Sequence, residues 1–294
     1  SAAWNTKPFI GPDEEYVLDQ ALAERAAACR QFTVSRVEEK LQDRAPPAPF
    51  TTSALLQAAG SALKYAPALT QALAQSLFEG GHISYHRTDS PNLSPDDVAP
   101  IRAFAEKQGW KVTEKPRHWT VSEGAQEAHG AIRPTHVEAL EAGESEQEKA
   151  LYRLIWQRAV ASQLEDAKYR VIIVDLVSVT KDESFEFCAR SSVLMEKGWQ
   201  VVLPGDVEEG PEKDSDVDQD AENSGDIPAL EEGASVSASD GKLLRRATKP
   251  ASRFSETSLI RKLEQMGIGR PSTFSAIVTH IGERGFVKVE RRFL

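Results

Sequence analysis

Residues 80–90 read GGHISYHRTDS, and the interpretation of the chain starts from this stretch. Gly80-Gly81 stops a helical pattern, and the residues that follow are short and extended in character. Tyr85 and Arg87 lie two positions apart, so their side chains are expected to leave one face. A phenol is a poor nucleophile at neutral pH, but a guanidinium beside it favours the phenolate and can hold a phosphate oxygen. The pair suits attack on a phosphodiester, although a bare Tyr-x-Arg more often marks a surface strand.

The same alternation assigns His86 to the opposite face from Tyr85. An imidazole next to a nucleophile is a titratable group close to ordinary cellular pH. Because His86 is expected to point away from the Tyr85 side chain, the sequence predicts a neutral role for it.

The region around this stretch is mainly helical. Apolar spacing and helix-start signals predict helices over 52–64, 67–79, 94–108 and 145–164. Ser94 with Pro95 and Asp97 has the pattern of a helix start, and Ser145 with Glu148 that of a capping box. The proline-rich residues 45–49 predict a boundary ahead of these helices.

The flanking regions alternate with the period of strands. Strands are predicted over 4–10, 31–38, 169–180, 184–190, 199–203 and 234–238, and a helix over 13–29. Toward the C-terminus, helices at 255–266 and 271–283 and a strand at 286–290 predict a helix-turn-helix with a wing, a common DNA-docking unit. The fold class is therefore α+β, with a helical region inserted into a β-rich one.

The net charge of −10 does not exclude a nucleic-acid partner, because it is unevenly distributed. Residues 206–226 contain ten acidic residues and one lysine, and so account for −9 of it. This composition is typical of a disordered, self-repelling loop. The rest of the chain is close to neutral and can carry local basic patches.

Composition also narrows the setting. The 294 residues suffice for two domains, and no apolar run approaches the roughly 20 residues that span a bilayer. Cys29 and Cys188 form neither a disulfide framework nor a zinc motif, which favours a reducing cytoplasm. The N-terminus has no signal peptide and no Met. We interpret the chain as a fragment of a longer cytoplasmic protein.

A second motif, at residues 126–135, reads QEAHGAIRPT. The imidazole of His129 can donate a hydrogen bond to phosphate or shuttle a proton near neutral pH. Taken alone, His129 would be read as a structural histidine. Arg133 is a candidate either for a phosphate contact or for a structural ion pair.

A third motif, GIGRPSTF at residues 267–274, precedes a predicted helix. Ser272 and Thr273 would lie at the helix N-terminus, where free N–H groups favour anions, and Arg270 adds a positive charge. These groups predict a cradle for single-stranded DNA phosphates. A well-capped helix start explains the same residues, and both interpretations can hold.

Together the three motifs resemble type IA DNA topoisomerases of bacteria. In that family an Ile-Thr-Tyr-Met-Arg-Thr-Asp-Ser string carries the catalytic Tyr, a Gln-Glu-Ala-His-Glu-Ala-Ile-Arg-Pro motif follows, and Gly-Ile-Gly-Arg-Pro-Ser-Thr precedes a helix. Here Ser84 replaces the Thr and keeps its hydroxyl, His86 replaces the Met, and Gly130 replaces a Glu. The motifs occur in the family's order, and the resemblance covers most of the chain except the acidic stretch.

The resemblance implies roles for individual residues. Tyr85, Arg87 and His129 would be catalytic. The DNA-binding residues would be Ser84, Arg133, Arg270, Ser272, Thr273 and Arg284. The family's reaction cleaves one DNA strand through a 5′-phosphotyrosine bond, passes a second strand, and reseals the break without ATP, which relaxes negative supercoils. The partner is single-stranded or negatively supercoiled DNA at the bacterial nucleoid.

The family's layout also implies domains. Residues 1–46 and 168–247 would form a discontinuous β-rich arch, 47–167 the helical domain that carries Tyr85, and 248–294 the start of a DNA-binding helical domain. Mg²⁺ would be held by an N-terminal Toprim domain that has no counterpart here, so no metal ligands are expected in this chain. The fragment alone is expected to be inactive in relaxation and to need that Toprim domain as its partner.

Three other functions stay open from the sequence. A non-catalytic module that binds single-stranded DNA would explain the helix-turn-helix pattern. A tyrosine recombinase would also form a phosphotyrosine bond, but through a 3′-phosphate. A partner-binding fragment could use residues 206–226 as a mimic of DNA.

Overall fold

A computed structural model describes residues 1–11, 14, 16–121, 129–180, 183–205, 227–245, 247, 250 and 252–288. The acidic stretch 206–226 lies outside these ranges, as do residues 126–128 of the second motif. The chain divides into two compact units. The first is built from described residues within Ser1–Arg44, Lys168–Glu196 and Lys213–Ala251, and the second from those within Ala45–Ala167, Lys197–Glu212 and Ser252–Leu294.

The first unit is a five-stranded sheet with the strand order β1-β4-β3-β2-β5. Its strands are β1 (Ala3–Trp4), β2 (Gln31–Arg44), β3 (Ala167–Val179), β4 (Ser184–Glu196) and β5 (Ser235–Ser237). The long pair β3–β4 is antiparallel, with Val174 opposite Ala189. The predicted strands 31–38, 169–180, 184–190 and 234–238 are thereby confirmed, because their alternation places one face of each against a core.

Aromatic rings fill the core of the first unit. Phe185 is fully buried and packs with Phe32 and with Ala26 and Cys29. Ala26 lies on helix α1 (Gln20–Ala27), and the Asp19 side chain caps α1 by accepting a hydrogen bond from the Leu22 N–H. Because Asp19 is extended, the helix begins later than the predicted residue 13.

The second unit is helical. Its helices are α2 (Thr52–Ala62), α3 (Pro67–Glu79), α4 (Pro95–Lys107), α5 (Glu146–Ala161), α6 (Glu256–Gln265) and α7 (Phe274–Glu283). The predicted start signals are realised, since Ser94 with Asp97 and Ser145 with Glu148 both form complete capping boxes. None of the helices in the described ranges is long and apolar enough to cross a membrane.

Helices α6 and α7 pack on the helices that precede the Tyr85 segment. Leu56 of α2 is buried with Ile260 of α6 and with Phe274 and Val278 of α7. The Arg261 Nε donates to the Gln57 side-chain oxygen at 2.7 Å. The helix-turn-helix prediction holds for the two helices. Of the predicted wing, the described residues 286–288 form no strand, and residues 289 and 290 lie outside the described ranges.

Two predicted strands are wrong. Residues 198–201 form a 3₁₀ helix, because Gly198 has φ +48° and the Trp199 N–H donates to the Glu165 carbonyl, which turns the chain. Residues 7–9 form another, with Pro8 at its first turn, so only Ala3–Trp4 of that region pair in the sheet. In both places a short turn packs an aromatic side chain inward, the half-buried Phe9 or the buried Trp199, and this gives the sequence an apolar pattern similar to that of a strand.

Candidate active site

The segment that carries Tyr85 is fixed to the start of helix α2. The Thr52 N–H donates to the Thr88 carbonyl at 2.8 Å, and the Thr88 N–H donates back to the Thr52 hydroxyl at 2.9 Å. The Thr52 hydroxyl also lies 2.8 Å from the His86 carbonyl oxygen, to which it donates. Thr52 and Thr88 are both buried, so these bonds exchange little with water. The backbone on the C-terminal side of Tyr85 is therefore held in place.

On its other side the segment is fixed to the stretch that follows His129. The Ser84 hydroxyl donates to the Ala131 carbonyl at 2.9 Å and accepts from the Arg133 N–H at 3.0 Å. Ile83 forms a single antiparallel bridge with Pro134. The second motif thus lies directly against the first. The two motifs are far apart in sequence, so the sequence alone does not reveal this contact. In this arrangement the Ser84 hydroxyl forms its hydrogen bonds with backbone groups of residues 131 and 133.

Three rings surround the half-buried side chain of Tyr85. Ring centroids lie 5.4 Å away at Phe78 of α3, 5.0 Å at His129 and 5.7 Å at His86. These separations are those of ordinary aromatic packing. The His129 side chain is exposed, so its imidazole can meet a ligand from solvent. The structure therefore brings Tyr85 and His129 together, as the sequence analysis expects.

His86 does not point away from Tyr85, and that expectation was wrong. Only Ile83 of the segment pairs as a strand would, so the two-residue alternation is lost. The His86 side chain is 1% exposed, and neither ring nitrogen has a hydrogen-bond partner within the described residues. Burial, followed by the charge of Arg87, lowers the pKa of His86 to about 4, against an opposing effect of Glu79. Near neutral pH the buried ring is uncharged.

The two guanidinium groups of the first two motifs have protein partners. The Arg87 Nη2 donates to the Gln75 side-chain oxygen on α3 at 3.3 Å, and the side chain stays exposed. Arg133 forms an ion pair with Asp97 of α4, and both side chains are largely covered. The ion pair is one of the two roles that the sequence leaves open for Arg133. Of the two cations, Arg87 is the more accessible to solvent.

Gly130, where the related motif has a Glu, lies close to that ion pair. A Cβ atom at this position would be 3.3 Å from the Asn92 carbonyl oxygen and 3.8 Å from the Asp97 Oδ2. A carboxylate at residue 130 would add negative charge beside Asp97, which already pairs with Arg133. Glycine leaves the pair undisturbed.

The residues of the third motif lie on α6–α7. Arg270, Ser272 and Thr273 are exposed in the turn between the helices, and Arg284 is exposed where α7 ends. The helix begins at Phe274, three residues after the predicted start, because Pro271–Thr273 form turns. The Thr273 hydroxyl accepts from the Arg270 N–H at 2.8 Å instead of capping the helix. Helix α7 packs on α3, the helix that contributes Phe78 beside Tyr85.

Two residues that build the site received no role from the sequence. Thr52 stands in the stretch PFTTS at 49–53, whose hydroxyls also suit a helix start, and Thr51 is indeed the cap of α2. The sequence gives Asp97 a role only as the acidic residue in the first turn of a predicted helix. The Thr52–Thr88 and Asp97–Arg133 contacts each join residues more than thirty positions apart. A local sequence pattern therefore cannot predict them.

The described residues offer no metal site. No group of three or more His, Cys, Asp and Glu side chains able to hold a metal ion occurs among them. What the described ranges do offer is a phenol, an exposed imidazole and an exposed guanidinium around one segment.

Comparison with known proteins identifies the family. A family model described as DNA topoisomerase matches residues 9–294. The plasmid DNA topoisomerase I of Xylella fastidiosa is 41% identical over 100% of this chain, which spans 44% of that protein. DNA topoisomerase 1 of Escherichia coli is 37% identical over 98% of the chain, which spans 32% of it.

A solved structure agrees with these relatives. The full-length topoisomerase I of Thermotoga maritima superposes with a TM-score of 0.78 at 28% identity, covering 97% of this chain and 46% of that one. The chain therefore spans less than half the length of these relatives, and the resemblance seen in the three motifs extends over nearly all of it. On this evidence the chain belongs to the family of bacterial DNA topoisomerases I.

Proposed function

We propose that this chain is the strand-cleaving part of a type IA DNA topoisomerase, with Tyr85 as the nucleophile. The observation that supports this most is the position of Tyr85, whose ring lies 5.0 Å from that of the exposed His129 on a segment fixed from both sides. A nucleophile held in one geometry, with a group able to move protons beside it, suits covalent catalysis.

The reaction can be written for the residues of this chain. The Tyr85 Oη attacks the phosphorus of a single-stranded DNA phosphodiester, and the bond from phosphorus to the 3′ oxygen breaks. The phenol proton leaves through His129 or water, and the departing 3′ oxygen gains a proton to become a hydroxyl. A 5′-phosphotyrosine bond remains, and it stores the energy for the reverse attack by the 3′-hydroxyl. No ATP is required for resealing.

The remaining residues would bind the strand. Arg87 would contact the phosphate at the cleaved bond, because its guanidinium is exposed two residues from Tyr85. Arg270, Ser272, Thr273 and Arg284 would contact phosphates farther along. For Ser84 and Arg133 the contacts described above support a role in shaping the site, so any DNA contact they make would be additional.

The parts of the enzyme outside this chain would complete it. We propose that the first unit belongs to the β-rich arch, that 47–167 form the helical domain with Tyr85, and that 248–294 start a third domain. Mg²⁺ would be bound by a Toprim domain in the part of the relatives that this chain does not cover, and would assist positioning of the phosphate. Relaxation of negatively supercoiled DNA at the nucleoid would need both parts.

Covalent trapping tests this proposal. The chain is incubated with end-labelled single-stranded DNA and Mg²⁺, with and without a separately made Toprim half, and run on denaturing gels. We expect an adduct that needs the added half and is lost in Tyr85→Phe, because only the phenol oxygen is removed. Tyr65→Phe, in the same unit, is the matched control and should keep the adduct.

The same preparations test the dependence on the rest of the enzyme. The chain alone is expected not to relax supercoiled plasmid. An adduct that persists in Tyr85→Phe would overturn the assignment of the nucleophile. Robust relaxation by the chain alone would overturn the proposal that relaxation needs the Toprim domain.

The alternative is a non-catalytic module that binds single-stranded DNA, which the exposed basic residues at α6–α7 also support. It predicts binding of single-stranded DNA without any adduct, even with the Toprim half bound. It also predicts that Tyr85→Phe leaves binding and every other readout unchanged.

A further inference from the structure

A groove lies between helices α4 and α5 that the proposed reaction does not use. Its volume is about 920 Å³, and its aromatic lining comes from Phe104, Trp110 and Trp156. The ring centroid of Phe104 lies 6.1 Å from that of Trp110 and 5.8 Å from that of Trp156, both edge to face. We call it the aromatic groove. Its volume lies within the range typical of ligand sites.

The aromatic groove is built on a fixed floor. Trp156 is 7% exposed, and its indole N–H donates to the Val137 carbonyl at 2.8 Å. Phe104 and Trp110 are half-buried, so part of each ring faces the opening. Leu140 on the rim is 58% exposed. Apolar surface left open in a concave site is a mark of binding.

The rim carries charge of both signs, with positive charge in excess. Lys107 and Arg153 are exposed and form no ion pair within the described residues, and Glu138 is the single acidic side chain of the lining. Gln108 and Gln157 add amide groups. Proteins bind unpaired nucleic-acid strands with this combination of groups. Aromatic rings stack on the bases, amides hydrogen-bond the base edges, and cations contact the phosphates.

The groove can be placed relative to the candidate active site along helix α4. Asp97 at the start of α4 pairs with Arg133, whose N–H bonds Ser84 next to Tyr85. Lys107 at the end of α4 lies ten residues on, which is about 15 Å of helix. A strand whose bases stay stacked at about 3.4 Å per nucleotide covers that distance in about five nucleotides, and an extended strand needs fewer.

We propose that the aromatic groove binds a base of single-stranded DNA a few nucleotides from the phosphate at Tyr85, stacked on Trp110 and Phe104. This inference rests on the proposed function, because it takes the strand at Tyr85 as its starting point. The cations Lys107 and Arg153 contact the flanking phosphates. The groove thereby fixes the strand a short distance from the cleaved bond.

Binding of labelled oligonucleotides of two lengths to the 294-residue chain tests the proposal. One oligonucleotide has about 20 nucleotides, and the other about 2, whose single internucleotide step is shorter than the roughly 15 Å of helix α4. Trp110→Leu is expected to weaken binding of the long oligonucleotide roughly 5- to 150-fold, as loss of one stacked base does. It should leave binding of the short one unchanged.

Salt dependence gives an independent readout on exposed residues that do not threaten the fold. Lys107→Gln and Arg153→Gln should each lower the slope of log affinity against log salt by about 0.7 for the long oligonucleotide. Lys242→Gln, an exposed lysine of the first unit, is the matched control and should keep the slope.

The outcomes separate the two proposals. Unchanged affinity and slope in all three groove variants, while the parent chain binds the long oligonucleotide, would overturn the groove and leave the proposed function standing. Equal weakening of both lengths would also overturn it, because the effect would then come from the fold. If the parent chain binds neither oligonucleotide even with the Toprim half added, the proposed function falls, and the groove proposal falls with it.

Discussion

At the scale of single residues, the most informative position is His86. A buried imidazole without a hydrogen-bond partner among the described residues costs on the order of 1–3 kcal/mol. The related motif has a Met here, which fills space without that cost. The ring stays uncharged near neutral pH because burial opposes its protonation. His86 therefore packs as an aromatic ring against Tyr85 and Phe78. Its imidazole becomes protonated only at acidic pH.

The pH dependence of stability tests this reading of His86. The folded-state pKa of about 4 lies below the ordinary histidine pKa of 6.5, so the unfolded chain binds the proton more readily. As pH falls from 7 through 4, the parent should lose up to about 3 kcal/mol of its free energy of unfolding from this group. His86→Met should lack that loss, which urea unfolding at several pH values measures.

The control for His86 is an exposed histidine of the same unit. His118→Met is expected to keep the pH dependence of the parent. If His86→Met and the parent lose stability in parallel between pH 7 and 4, the ring is not held uncharged by burial, and the packing role assigned to it is wrong.

At the scale of elements, the site depends on a junction between helix α2 and the Tyr85 segment. The Thr52 hydroxyl accepts from the Thr88 N–H, and its one proton lies within reach of both the His86 and the Thr88 carbonyl oxygens. Helix α2 is itself held by the buried cluster it shares with α6 and α7. Packing of the helices is thereby transmitted to the backbone that carries Tyr85.

Thr52→Val tests the junction, since it keeps the shape of the side chain and removes the hydroxyl. Loss of these buried hydrogen bonds should lower the free energy of unfolding by about 1–3 kcal/mol. It should also reduce the yield of the covalent adduct at a given time, because Tyr85 is less firmly placed. Thr70→Val is the matched control, as the Thr70 hydroxyl donates to the carbonyl of Ala66, the residue just before its own helix α3. Equal adduct yields in the two variants would show that the junction does not position the nucleophile.

The elements themselves were largely predictable, because their signals are local. Capping boxes at Ser94 and Ser145 placed α4 and α5, and alternation placed β3 and β4. The failures of the strands predicted at residues 4–10 and 199–203 have the opposite cause. There a turn of a few residues buries its rings through contacts distant in sequence, and the short apolar pattern does not distinguish that from a strand.

At the scale of the whole molecule, the site was predictable only in part. Juxtaposition of Tyr85 and His129 followed from the resemblance of the motifs and not from spacing, since about 40 residues separate them. The Arg133–Asp97 pair, the inward turn of His86 and the Thr52 junction depend on tertiary packing. Each chain unit is compact by itself, and the chain spans 44% of the length of the Xylella fastidiosa relative.

The central claim is that Tyr85 takes up the 5′ end of a cleaved DNA strand. The most direct measurement is to isolate the adduct formed with the Toprim half, digest it with protease and nuclease, and identify the linked residue by mass spectrometry together with the DNA end it carries. We expect a nucleotide joined through its 5′-phosphate to the peptide that contains Tyr85. A nucleotide joined through a 3′-phosphate, or to any other residue, would contradict the account.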